Sequence, residues 1–306
     1  MPTMASQDLL LEDFRTHLRF GRGLAGNTVR AYSSDLLHLS HFLDPDGEPS
    51  AVLPSVSLAA LRGWLASQAH SGLSRTTLAR RGAAARAFYS WATDTGVLAE
   101  NPAARLASAR PAITLPIVLS PVEVVAMLEA AEARCSGGDP LDIRDWTAAE
   151  MLYATGMRVG ELAGIDIGDV DLGERLVRVM GKGGKERVIP FGIPAARASR
   201  VWLERGRPQL VIDHFTPAFL LGRRGGRVNQ RQIREAIHRL ASIAGIEDVA
   251  PHALRHTAAT HLVNGGSDLR SVQEVLGHAS LTTTQRYTHV TAERLRASYQ
   301  LAHPRA

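Results

Sequence analysis

Four prolines, Pro102, Pro111, Pro116 and Pro121, interrupt a chain that otherwise carries helical periodicity on both sides. Proline has no backbone N–H, clashes with the preceding helical turn and pushes its predecessor out of the helical region, so no continuous helix crosses Glu100 to Pro121. With 306 residues the chain also exceeds one ordinary core of about 100–150 residues. The break therefore reads as an interdomain linker, with an N-terminal domain over 1–108, a linker over 109–119 and a second domain with its tail over 120–306.

The first domain reads as a bundle of about four helices. Leu10, Phe14 and Leu18 recur at helical spacing. After the break Gly21–Gly26, Asn27 is expected to cap a run striped by Val29, Tyr32, Leu36, Leu39 and Leu43. Ser57 and Ser74 read as caps of two further helices, the second carrying Arg80, Arg81 and Arg86. The second domain opens at Ser120-Pro-Val-Glu123, a capping box with proline in the first helical position. Beyond it, Leu176–Met180 and Arg187–Pro190 alternate like strands around a glycine-rich turn and predict a β-hairpin. From about Asn229 to Ser298 the pattern is again helical, with breaks near Gly245, Gly265 and Gly277. The expected fold class is mainly α with a small β-hairpin or sheet in the second domain.

Composition narrows the function. The 45% hydrophobic and 21% charged residues are those of a globular chain and exclude extended disorder. Asp8, Glu12 and Asp13 deny the N-terminus a secretory pattern, and no window nears the ~20 apolar residues of a membrane span. A single cysteine, Cys135, forms no internal disulfide and fits a reducing compartment, so a cytoplasmic protein is expected. Net charge is +5, which suits an anionic partner or a solvated basic surface. Of 35 basic side chains only Lys182 and Lys185 are lysines, and both lie at the hairpin turn. A chain that uses arginine elsewhere keeps lysine where a cation must give up a proton.

Single residues carry little alone. Arg158 has Glu161 three positions on and, taken alone, is read more readily as a helix ion pair. His252 and His256 have the spacing of a zinc pair, but Ala253 stands where a zinc protease carries its glutamate, so no metal is expected. Gly184-Lys185 is followed by Glu186 in place of the hydroxyl residue of a nucleotide-binding loop, which argues against ATP, and no nucleophile elbow is present. His278 alone fits a buried structural histidine, and Tyr287 alone a core tyrosine. Taken together, two arginines, two histidines, a lysine and a tyrosine form a metal-free set able to attack a phosphodiester.

The stretches Ala154-Thr-Gly-Met-Arg-Val-Gly-Glu-Leu162, Gly181-Lys-Gly-Gly-Lys-Glu-Arg187, His252-Ala-Leu-Arg-His-Thr-Ala-Ala-Thr-His261, Leu276-Gly-His278 and Thr284-Gln-Arg-Tyr-Thr-His289 resemble the tyrosine site-specific recombinases, and within them the bacterial Xer recombinases. Gly266–Glu274 is more similar to the XerC branch and Val290–Arg296 to the XerD branch, with XerC the closer overall. Arg286, where an aliphatic residue is common, is a mild departure.

The resemblance implies a two-domain DNA clamp, an N-terminal helical bundle joined to a tyrosine-recombinase catalytic domain. Arg158 and Arg255 would bind the scissile phosphate with help from His278; Lys182 would be the general acid, His252 the general base and Tyr287 the nucleophile. Arg80, Arg81, Arg86 and Lys185 are expected DNA contacts. Double-stranded DNA is the implied partner, together with a homologous XerD-like recombinase in a heterotetramer reached through the tail Ala292–Ala306. No cofactor is implied, and the implied role is resolution of chromosome dimers at a dif-type site during cell division. The same chemistry would serve a phage-type integrase or a type IB topoisomerase, and a non-catalytic DNA-binding regulator is the non-enzyme alternative.

Overall fold

The computed structural model describes residues 5–45, 49–107, 117–181, 184, 186–213, 215–266 and 304–305. Contacts divide the chain into two compact units, Met1–Thr114 and Leu115–Ala306.

The first unit contains α1 (Ala5–Thr16), which runs into a wider π turn over His17–Gly21, then α2 (Gly26–Leu43), the short α3 (Pro49–Val52), α4 (Leu58–His70) and α5 (Arg75–Asp94). Ser57 and Ser74 cap α4 and α5 by accepting the backbone N–H groups of Ala60 and Thr77, satisfying donors that the first helical turn leaves without a partner. Asn27 does not cap α2. That helix starts two residues earlier than an Asn27 cap implies, at Gly26 behind Ala25, and the Asn27 side chain instead accepts from Arg30 within the first turn. Apolar stripes from each helix meet in one core, where Phe14 sits 5.3 Å from both Phe88 and Trp91, and Leu18, Leu36, Leu39, Leu61 and Trp64 are fully enclosed. Phe14 meets Phe88 edge-on, a favoured aromatic geometry.

The second unit begins as the capping box requires. Ser120 and Glu123 exchange side-chain and backbone hydrogen bonds at the head of α6 (Pro121–Arg134). Leu119, in the stretch expected as linker, is buried here: its N–H donates to Thr257 and its carbonyl meets His261. Next come α7 (Pro140–Thr155), almost wholly buried, and the short α8 (Val159–Gly164). A three-stranded antiparallel sheet follows, β1 (Val170–Asp171), β2 (Leu176–Met180) and β3 (Glu186–Pro190), in that spatial order. The hairpin register pairs Val177 with Ile189, Val179 with Arg187 and Met180 with Glu186. Alternation sends Val177, Val179, Arg187 and Ile189 to the buried face. Then α9 (Ile193–Val201) passes through a π turn over Trp202–Gly206 into α10 (Arg207–Leu210), and α11 (Gln230–Ile243) and α12 (Pro251–Asn264) close the described core. Strand β1, two residues long, offers too little alternation to be read from sequence. No helix among the described residues is long and apolar enough to cross a membrane.

Candidate active site

The site is built around the turn between α7 and α8. Helix α7 ends because Gly156 adopts a left-handed conformation, φ 58°, which an L side chain disfavours and glycine does not. The turn delivers Arg158 to the N-cap of α8 with a side chain 46% exposed. The carbonyl of Gly156 accepts from Nη1 of Arg255 on α12. One glycine therefore both aims Arg158 outward and anchors the second arginine.

Glu161 organises the positive charge. Its carboxylate accepts from the Arg158 backbone N–H at 2.8 Å and from Arg158 Nη1 at 2.9 Å, so the helix ion pair foreseen from spacing is formed. The same two oxygens take a bidentate fork from Arg187 on β3, at 3.0 and 2.8 Å. Both Arg187 and Glu161 have side chains only 7% exposed. Burial alone would raise the Glu161 carboxyl pKa, but the hydrogen bonds from Arg187 and Arg158, with their charges, outweigh it and hold the group below its ordinary value. Arg255, 5% exposed, is pushed down to about 10 by burial first and then by Arg158, with Arg187 acting the same way and Glu161 opposing. It stays protonated at neutral pH. Two guanidiniums share the Glu161 carboxylate and a third, Arg255, feels its charge, which leaves an excess of positive charge with Arg158 the exposed member: a place where a phosphate's oxygens can be held.

His252 stands one helical turn from its neighbour His256, their Nε2 atoms 3.0 Å apart. Such a contact needs one bare nitrogen, so the pair holds at most one extra proton. Shielding from water, then His256, Arg255 and Arg158, lowers the His252 pKa, keeping a bare nitrogen available at neutral pH. Arg158, His252 and Arg255 are thus brought to one place. Lys182, Lys185, His278 and Tyr287 lie outside the described residues. So does the tail expected to reach a partner, except Pro304 and Arg305, where Arg305 Nη2 meets the buried Glu150 of the same chain at 2.7 Å. Among the described residues no three histidines, cysteines or acids converge.

Arg80, Arg81 and Arg86 of α5 are engaged within their own bundle. Arg80 and Arg81 both pair with the buried Asp35 of α2, and Arg81 also donates to Gln68 and lies over the Trp64 ring at 5.8 Å. Arg86 donates to the Leu106 carbonyl. Their side chains tie α2, α4 and α5 together, and Arg80, with its side chain 39% exposed, keeps more surface than Arg81 at 12%.

Sequence reading gave no role to Arg187. Its signal was available: it occupies a core-facing position of β3 across from Val179, and a charge at such a position requires a buried partner.

The model of the phage integrase family matches residues 118–294, and that of the phage integrase N-terminal SAM-like domain matches residues 11–96. The first match alone spans more than half of the chain. The chain belongs to the phage integrase family of tyrosine recombinases. Its similarity to curated members is close. The tyrosine recombinase XerC of Mycobacterium leprae (strain TN) is 52% identical over 298 residues, covering 97% of this chain and 99% of that protein. The tyrosine recombinase XerC of Mycobacterium sp. (strain JLS) is 50% identical over the same length and coverage. Among solved structures, a lambda integrase dimer bound to a COC′ core site matches with TM-score 0.65 and 19% identity over 92% of this chain and 98% of that one. XerH recombinase bound to a palindromic difH substrate after cleavage matches with TM-score 0.64 and 22% identity over 94% and 82%. At those identities the likeness speaks for the fold, a helical unit followed by a tyrosine-recombinase catalytic unit. The family's reaction is cleavage and rejoining of DNA, so this chain is an XerC-like recombinase in fold and enzyme class.

Proposed function

We propose that Arg158 and Arg255 hold the non-bridging oxygens of a scissile DNA phosphate while Tyr287 attacks it. The Tyr287 oxygen forms a bond to phosphorus, and the bond from phosphorus to the 5′-oxygen breaks. His252 takes the tyrosine proton, and Lys182 supplies a proton to the departing 5′-oxygen. His278 assists the arginines, and Lys185 contacts the DNA backbone beside the cut. The result is a 3′-phosphotyrosyl link and a free 5′-hydroxyl. Attack of an equivalent hydroxyl from a partner duplex on that link rejoins exchanged strands. Phosphoester count is conserved throughout, so the cycle draws on neither nucleotide hydrolysis nor a redox step.

The observation that carries this reading is the Arg158–Glu161 pair, with Arg255 anchored on the Gly156 carbonyl of the same turn, beside a histidine whose pKa is lowered. It pairs a positive cradle with a neutral base. Resolution of chromosome dimers at a dif-type site in the cytoplasm is the role that similarity to XerC proteins supports. A heterotetramer with an XerD-like recombinase, joined through the tail Ala292–Ala306, is the matching assembly. Arg80, Arg81 and Arg86 are proposed phosphate contacts of the first unit, Arg80 ahead of Arg81 by exposure.

The test uses genomic fragments captured by the purified protein. Two copies of the recovered site on one plasmid, with the protein and its XerD-like partner in EDTA and without ATP, are expected to recombine. Relaxation of plasmids that lack the site, with no exchange between sites, would replace this reading with a topoisomerase; binding without any cleavage would replace it with a regulator.

A further inference from the structure

We propose that Arg187 is a positioning residue that sets the lysine-bearing hairpin against the phosphate-binding turn. This inference rests on the assignment of Lys182 as general acid. Arg187 sits in the second ladder pair below the hairpin tip, opposite Val179, with only the Met180–Glu186 pair between it and the turn that carries both lysines. Of the hairpin's inward-facing residues, it and its cross-strand partner Val179 lie nearest that turn, and its guanidinium forks onto Glu161. Glu161 in turn receives both the backbone N–H and the guanidinium of Arg158. One carboxylate therefore joins the strand that leads from the lysines to the residue that meets the phosphate.

The form of the contact matters. A two-point fork between a planar guanidinium and a planar carboxylate fixes orientation as well as distance, which a lysine in the same place would not do. Both side chains are 7% exposed, so water does not loosen the joint. A general acid must lie within hydrogen-bond reach of the leaving oxygen, and a displacement of about 1 Å is enough to slow a positioned reaction by ~10²-fold. The plainer reading is that the buried pair only stabilises the fold.

Cleavage of two nicked substrates separates these readings, one with the natural 5′-bridging oxygen and one with a 5′-bridging sulfur, whose thiolate departs without a proton. Arg187→Gln is expected to bind DNA like the parent and to cleave the oxygen substrate ~10²-fold more slowly. On the sulfur substrate its rate should return to within a few-fold of the parent. Lys182→Arg, run alongside, should show the same oxygen defect and sulfur recovery. If Lys182→Arg recovers and Arg187→Gln does not, the positioning role is wrong while the lysine assignment stands. If Lys182→Arg itself fails to recover, the lysine assignment falls and takes this inference with it. Cleavage of the oxygen substrate by Arg187→Gln at the parental rate also overturns the proposal. Should Arg187→Gln not fold, Arg187→Lys keeps the charge beside Glu161 and removes only the fork, and the same two-substrate comparison decides.

Discussion

Arg158, Arg187 and Arg255 would repel one another without Glu161, and it is that carboxylate which lets them share a site. The same excess of positive charge acts on the proposed base. Because shielding, His256, Arg255 and Arg158 all lower the His252 pKa, its bare form persists to more acidic pH than in an ordinary histidine near 6.5. The acid limb of the single-turnover cleavage rate should accordingly lie below pH ~6.5. His256→Gln removes one of those causes and should move the limb upward, with the plateau rate less affected. A limb that stays in place in the variant would show that His256 has no bearing on the base. At this scale the sequence was only partly legible. Spacing alone gave the Arg158–Glu161 pair. The Arg187–Glu161 pair joins residues 26 positions apart, and no local pattern announces a contact between a strand and a helix that are brought together by the fold. The arginines of α5 show the converse difficulty: a basic cluster read as a DNA contact is also held by Asp35, Gln68 and the Leu106 carbonyl, partners invisible without the bundle.

Elements with a local chemical cause were the most legible. Ser57, Ser74 and Ser120 cap the helices they precede because each hydroxyl can satisfy a backbone N–H of the first turn. The hairpin followed from alternation on either side of a glycine-rich turn. Asn27 misled because Asn is a good cap, yet the helix starts two residues sooner, behind Ala25, and leaves Asn27 to bond Arg30. Gly156 is the element boundary on which the site depends most. Gly156→Ala places a Cβ in the left-handed region and should cost about 1–2 kcal/mol of stability. Denaturant unfolding measures that loss. Cleavage should fall further than stability alone explains, because the same turn aims Arg158 and its carbonyl holds Arg255. A variant as stable and as active as the parent would mean that the turn does not need the left-handed residue.

For the molecule as a whole, the proline-rich stretch is read as a linker over 109–119 between two domains; contacts divide the chain into Met1–Thr114 and Leu115–Ala306. Leu119 shows where sequence reasoning stops. No periodicity reveals that its N–H and carbonyl are both taken by α12, which draws it into the second unit. Burial lifts the Glu150 carboxyl to about 7 while Arg305 opposes the shift, so the penultimate residue of the chain is tied to the helix that leads into the Gly156 turn. The proposed reaction turns on Tyr287 becoming covalently joined to DNA. The direct measurement is to trap the protein on a nicked suicide substrate carrying its captured site, digest the adduct and identify the DNA-linked peptide. Tyr287 should carry the DNA, and Tyr287→Phe should bind the same substrate and form no adduct. A linked peptide containing Tyr32, Tyr89, Tyr153 or Tyr299, or an adduct formed by Tyr287→Phe, would contradict the account.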